Sequence, residues 1–357
     1  MKGRRTGEVA ASVRQRLRDL ARQAERPFDE VLQYFAMERF LFRLGCTDYA
    51  QRLTLKGAAL LRVWGLPSPR PTRDLDFLGR LEATPEAMLA VVREVLAVDA
   101  DDGVVFDREH LAAQPITLDD DYQGVRVTVR GSLAGARFKL QIDVGIGDVA
   151  YPEPAWIDYP QMLDLGEPRV QVYRPETAVA EKLQAMVELD LRNSRMKDFH
   201  DVLMLSRTLA FRLDELAGAI RLTFECRSTD VPLLPVSLME EFSTDALKRA
   251  QWAAFHEKLG EPAPSLPDAI EEIAAFVLPA LTAAGADRGP RCGGVAKRGR
   301  VAAGTGMGGR GGRRVTAWKA ATRPSVRPRR QGAGAARAAR SRSWGCASGG
   351  TRRARGR

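Results

Sequence analysis

Apolar positions recur at three- and four-residue steps near the start of the chain, and this period predicts helices over 7–22 and 27–44. In "FDEVLQYFAMERFLFRLG" the apolar stripe stops at Gly45, which closes the segment. The pattern then changes. "RLTLKG" (52–57) reads as a short strand running into a glycine turn. "AALLRVWG" reads as a helical piece ended by Gly65 and the Pro67/Pro69 pair, and "RDLDFLG" as a second strand. "TPEAMLAVVREVLAV" (84–98) predicts a helix with Thr84 as its cap and Pro85 at its first position.

The middle of the chain is β-rich. "GVRVTVRGSL" (124–133) and "ARFKLQIDVGIGD" (136–148) alternate and join through a Gly-containing turn, which predicts a hairpin. From 175 onward the spacing is helical, over 175–190, 196–208, 212–225, 244–259 and 267–283. Mixed α/β first and all-α second predict an α+β fold. Its parts are N-terminal helices (1–48), a mixed sheet domain (49–174) and a helical lobe that completes the site (175–286). No internal repeat is found.

Charge changes the picture of the last segment. The 357 residues carry a formal charge of +10, yet 287–357 holds 20 Lys/Arg and a single acidic residue, Asp287 at its first position. Residues 1–287 therefore carry a net charge of −10, so the body is acidic. The tail after Asp287 contains no Leu, Ile or Phe and has nothing to offset the entropy of ordering, which predicts disorder. It reads either as an RGG-like RNA-binding extension or as GC-rich DNA translated out of frame, and its composition favours the second. Cys46, Cys226, Cys292 and Cys346 lie far apart without metal-ligand spacing, which fits a reduced, cytoplasmic protein. No apolar leader and no run of membrane-spanning length are expected, so no membrane partner is either.

The candidate chemistry begins with Asp74 and Asp76, which flank one leucine on a predicted strand and so face the same side. Asp143, between Ile142 and Val144 on another strand, is a third carboxylate for the same place. Gathered without a counter-charge, such groups repel and raise one another's pKa. A divalent cation relieves this, and hard oxygen ligands suit Mg²⁺ or Mn²⁺. Upstream, Lys56-Gly57-Ala58 forms a glycine turn between strand and helix, where backbone N–H groups can meet phosphates. Arg70 and Arg73 flank the carboxylate turn and are suited either to triphosphate oxygens or to the aspartates themselves.

Strand, glycine turn, helix and a D-x-D strand resemble the nucleotidyltransferases of the DNA polymerase β superfamily. "LKGAALLR…RPTRDLDF", "FKLQIDVG" and "PETAVAEKLQAMVELDLRNSRMKDFHDVLML" (175–205) are similar, in that order, to the AbiEii/AbiGii toxin family, which includes the MenT-type toxins. The resemblance covers roughly 50–210. It implies a metal-dependent transferase that uses a nucleoside triphosphate, acts on an RNA acceptor such as a tRNA 3′ end, and has a toxin role beside a cognate antitoxin in phage defence. Residue by residue, it puts Gly57 on the phosphate-facing turn and Asp74 and Asp76 on the metal pair. Asp143 falls on the third acidic position, Lys182 on the triphosphate lysine and Asp198 on the acidic residue of the final motif. Ala58 departs from the pattern, since a second Gly or a Ser is usual there, and so decay to a non-catalytic binding protein stays open.

Two further activities remain. One is nucleotidyl or phosphoryl transfer to a protein hydroxyl. The other rests on Arg195 and His200, spaced as in the R-x4-H pattern of HEPN-type ribonucleases, which cleave RNA without metal.

Overall fold

In the computed structural model, which describes residues 2–286 apart from 67–69, 83, 119–121, 261 and 263, the alternating segments pair into one mixed sheet. The tail expected to be disordered, with Cys292 and Cys346, lies outside the described residues. Two helices come first, α1 (Lys2–Gln23) and α2 (Phe28–Gly45). Then follow β1 (Leu53–Lys56), the short α3 (Leu60–Val63), β2 (Asp74–Gly79) and α4 (Pro85–Val95). The sheet is completed by β3 (Val104–Phe106), β4 (Ala112–Leu118), β5 (Tyr122–Leu133), β6 (Ala136–Gly145), β7 (Ala155–Asp158) and β8 (Arg169–Val172). The remaining helices are α5 (Pro175–Leu189), α6 (Met196–Thr208), α7 (Leu213–Cys226), α8 (Glu240–Thr244), α9 (Ala246–Leu259) and α10 (Leu266–Ala286).

Among the described residues the sheet has eight strands in the order β3-β5-β6-β2-β1-β8-β7, with β4 also paired to β5. β1 runs antiparallel to β2 and parallel to β8, and β2 runs parallel to β6. β5 and β6 form the long antiparallel hairpin read from the sequence. The register puts Leu55, Phe77, Val144 and Val125 in one row and Leu75, Ile142 and Val127 in the next. All seven are at most 1 % exposed, on the face covered by α1, α2 and α4. The stripe Ala10, Val13, Leu17 and Ala21 on α1 is the sequence period made solid.

A buried ion cluster ties α2 to the turn before β3. Arg39 and Arg43 both donate to Asp102, at 2.8 and 2.6 Å, and all three side chains are buried. Burial opposes the charge of Asp102, but the two guanidiniums more than offset it and hold its pKa below the usual range. A second apolar cluster joins α3 to α5, α6, α7, α8, α9 and α10.

One sequence expectation needs correction. α10 spans 21 residues and is apolar enough to cross a membrane by length and composition, although no such run was expected. Its residues Leu266, Ala269, Ile270, Ile273, Val277, Ala280, Leu281 and Ala284 are buried against the neighbouring helices. One apolar stripe packed on α6 and α7 accounts for its composition as a core helix. Strands β3, β4, β7 and β8 and helix α8 were also not expected. Four of these five have three to five residues, too short for a readable period.

Candidate active site

On the other face of the sheet the register lines up polar residues. Lys56 on β1 pairs with Asp76 on β2, Asp76 with Asp143 on β6, and Asp143 with Arg126 on β5. The next row holds Asp74, Gln141 and Thr128. Because side chains alternate across a strand, this row is the direct consequence of the buried one. The three sequence-predicted carboxylates therefore meet on adjacent central strands.

Their electrostatics are unequal. The Asp76 carboxyl is pushed up to about 6, first by burial and then by the charge of Asp143, with Asp74 adding to it and Lys56 opposing. Asp74 is also raised, by burial and by Asp143, although Gln141 Nε2 donates to its Oδ1 at 2.8 Å. Asp143 has a dedicated partner. Arg126 donates to both its oxygens, Nε to Oδ1 at 2.8 Å and Nη2 to Oδ2 at 2.7 Å. Among the described residues no group of three or more His, Cys, Asp or Glu side chains is gathered as a ready metal-ligand set. Asp74 and Asp76, by contrast, carry charge that neighbouring cations do not balance. That is the chemistry a divalent cation fits, so the donor set suits one through this pair.

The glycine turn lies directly beneath. Gly57 has φ +74°, and a Cβ there would overlap Asp76 Oδ2. Ala58 is 6 % exposed, and its methyl belongs to the apolar cluster of the C-terminal helices. The departure from the family pattern thus faces away from the carboxylates.

The two predicted lysines are both engaged. Lys56 Nζ donates to Asp148 Oδ2 and Glu181 Oε1, each at 2.9 Å. Burial works to lower its pKa, but Glu181 and Asp148 reverse this and hold it well above the ordinary value. Arg227 donates to Asp148 as well, and Tyr173 Oη donates to Glu181 Oε1 at 3.0 Å. Lys182 Nζ donates to Asp198 Oδ1 at 2.9 Å and Asp201 Oδ2 at 2.7 Å. Arg70 pairs with both oxygens of Asp201. Burial raises the pKa of Asp198 and Asp201, and Lys182 more than compensates, with help from Arg195 at Asp198 and Arg70 at Asp201. Arg73 is exposed, and its carbonyl accepts from Gln33 of α2.

Lys197 differs from these. It is exposed, and its charge moderates the pKa rise of both Asp74 and Asp76. Its own pKa is pushed down by partial desolvation, with Arg195, Arg70 and Lys182 adding repulsion. The sequence reading gave it no role in the site. Arg126, Asp148 and Arg227 were also not singled out. For Arg126 a signal existed, since it alternates with Thr128, Arg130 and Ser132 on the polar side of a strand.

The ribonuclease pair is placed differently. His200 is 3 % exposed and packs against the rings of Phe255 and His256, with centroids 5.4 and 5.1 Å away. Arg195 Nε lies 2.8 Å from Asp198 Oδ2. In this arrangement the His200 ring is buried among aromatic neighbours and not open to solvent.

No curated protein matches the chain. Among solved structures, JHP933 from Helicobacter pylori has 15 % identity and a TM-score of 0.37, covering 70 % of this chain and 88 % of that one. A proposed nucleotidyltransferase from H. pylori has 16 % identity and a TM-score of 0.35, covering 70 % and 91 %. The family described as nucleotidyl transferase AbiEii toxin, type IV TA system, matches residues 39–276. That span takes in the glycine turn, all three carboxylates and the lysine helices, and the chain belongs to the AbiEii family of nucleotidyltransferase toxins.

Proposed function

We propose that the protein transfers a nucleotide from a nucleoside triphosphate to an RNA hydroxyl, such as a tRNA 3′ end, using Mg²⁺ or Mn²⁺ held by Asp74 and Asp76. The observation that carries this reading is the row Lys56–Asp76–Asp143–Arg126 above Gly57. When bound, the cation would supply charge neutralisation at the triphosphate. The missing side chain at Gly57 lets the turn sit directly against the Asp76 carboxylate, with its backbone beside the pair. Lys197, exposed and within reach of both Asp74 and Asp76, contacts the triphosphate; Lys182, saturated by Asp198 and Asp201, positions the helices around it.

In the transfer, the acceptor oxygen forms a bond to the α-phosphorus while the bond from that phosphorus to the bridging oxygen breaks. Pyrophosphate leaves with the electron pair. The hydroxyl proton passes to Asp143, which Arg126 releases when its guanidinium turns to the incoming phosphates. The family implies an antitoxin partner, and we place the pair in the cytoplasm, in defence against phage. The domain division follows from the same reading: 49–174 carries the carboxylates and Lys56, and 175–286 carries Lys182 and Lys197.

Incubating the purified chain with each labelled nucleoside triphosphate, Mg²⁺ and total RNA tests this. Label should enter RNA, and Asp74→Asn or Asp76→Asn should abolish it. Label entering protein alone would overturn the RNA acceptor, and RNA cleavage without label would restore the ribonuclease reading.

A further inference from the structure

Beyond the carboxylate site, the polar face of the β5–β6 hairpin has no assigned role. Residues 122–142 contain Arg126, Arg130, Arg137 and Lys139 and no acidic residue, in a body whose net charge is −10. The register pairs Arg130 with Lys139 and Ser132 with Arg137. Both rows continue the face that carries Asp143–Arg126 and Gln141–Thr128. The opposite face, with Val125, Val127, Val129, Leu133, Leu140 and Ile142, is sealed in the core at no more than 1 % exposure. The cations therefore have one direction in which to point.

Arg130, Arg137 and Lys139 are exposed, and none of them has an ion pair among the described residues. With a rise of about 3.4 Å per residue, the Arg130–Lys139 row lies roughly 7 Å beyond the Gln141 row, and Arg137 about 7 Å further. Gln141 itself donates to Asp74, so this strip begins at the carboxylates.

We infer that this face is the track for the acceptor: a single-stranded RNA segment whose phosphates lie along Arg130, Lys139 and Arg137 while its terminal hydroxyl reaches Asp74 and Asp76. The inference rests on the RNA-acceptor reading above. Cations and hydroxyls are what phosphodiester backbones recruit, and Thr128 and Ser132 supply the hydroxyls. A protein partner would need an apolar centre, and between Arg130, Lys139 and Arg137 the hairpin face offers none, with Val105 at its far edge opposite Ser132. Among the described side chains of the hairpin on this face none is aromatic, so the track reads backbone and tolerates sequence.

The test is steady-state transfer by the full chain to a short single-stranded oligoribonucleotide. It compares the parent with Arg130→Gln/Arg137→Gln/Lys139→Gln and with the charge-keeping Arg130→Lys/Arg137→Lys. The Gln variant should raise the acceptor KM severalfold and leave the KM for the triphosphate and kcat at saturation unchanged. Its affinity for the oligoribonucleotide should also fall less steeply with salt, the logarithmic slope changing by about 2 for three lost phosphate contacts. The Lys variant should behave as the parent. An unchanged acceptor KM and salt slope, with RNA still labelled, would overturn the track and leave the RNA reading standing. Label carried by a protein acceptor, and lowered in the Gln variant, would overturn both.

Discussion

Gly57 and Asp76 touch so closely that no side chain fits between them: a Cβ on the glycine would overlap the carboxylate oxygen. The glycine also sits at φ +74°, where other residues are strained. Gly57→Ala should therefore displace Asp76. A shift of about 1 Å at a reacting group costs on the order of 10²-fold in rate. The check is transfer rate beside thermal melting, with rate falling much further than stability. Equal, small losses would show that the turn and carboxylate move together without consequence.

The carboxylate cluster should be a source of instability when no cation is present. Asp76 has its pKa raised to about 6 from 3.8, so its charge costs stability at pH above that value, up to about 3 kcal/mol. Asp76→Asn in EDTA should raise the melting temperature at pH 7.5. The gain should vanish below pH 4, where the parent carboxyl is protonated in both states. A gain that persists in acid would point to packing instead of charge.

Lys182 and Lys197 should separate cleanly. Lys182→Met leaves Asp198 and Asp201 buried without their ammonium, a loss of about 3–5 kcal/mol for a broken buried pair. Lys197→Met should leave melting unchanged and raise the KM for the triphosphate. A charged hydrogen bond of about 1.5–3 kcal/mol corresponds to tenfold or more. Melting and triphosphate titration of both variants decide it, and the reverse pattern would exchange their roles.

Acid should loosen the same helices. The pKa values of Asp198 and Asp201 are depressed, so their contribution is present above the unfolded carboxylate value and is lost as pH falls through the folded values, below about pH 4. Asp201→Asn should be less stable than the parent at pH 7, with the difference shrinking towards pH 2. Denaturant melts at the two pH values measure this, and a constant difference would remove the ion cluster as the cause.

Ala58→Ser should not improve nucleotide binding. The methyl packs in the apolar cluster of the C-terminal helices, so an added hydroxyl enters the core, at a cost of about 1–3 kcal/mol. Unchanged triphosphate affinity with a lower melting temperature is the expected result. A tighter complex would mean the side chain reaches the phosphates.

The carboxylates were legible because two-residue spacing on a strand fixes their side, whatever the rest of the fold does. Gly57 was legible as a turn, but not as the one residue that Asp76 permits there, since that contact joins two strands. Lys182 looked like the phosphate ligand because a lysine facing a D-x-D strand is the obvious counter-charge. Only the distances to Asp198 and Asp201 show that its charge is already spoken for. Arg126 was overlooked because its partner lies 17 residues away, across the hairpin. β8 was overlooked because four residues show no period, yet its parallel pairing with β1 carries the chain from the sheet into α5.

The site draws on residues from Gly57 to Asp201, and the sheet inserts β2 between β1 and β6, strands far apart in sequence. A ribosome adding about 5–20 residues per second needs roughly 7–30 s to go from Gly57 to Asp201, 144 residues further on. Throughout that interval the nascent chain holds its glycine turn and first carboxylates without the lysine helices that complete them. A cell making this toxin thus has a built-in delay between translation of the first site residue and the first turnover.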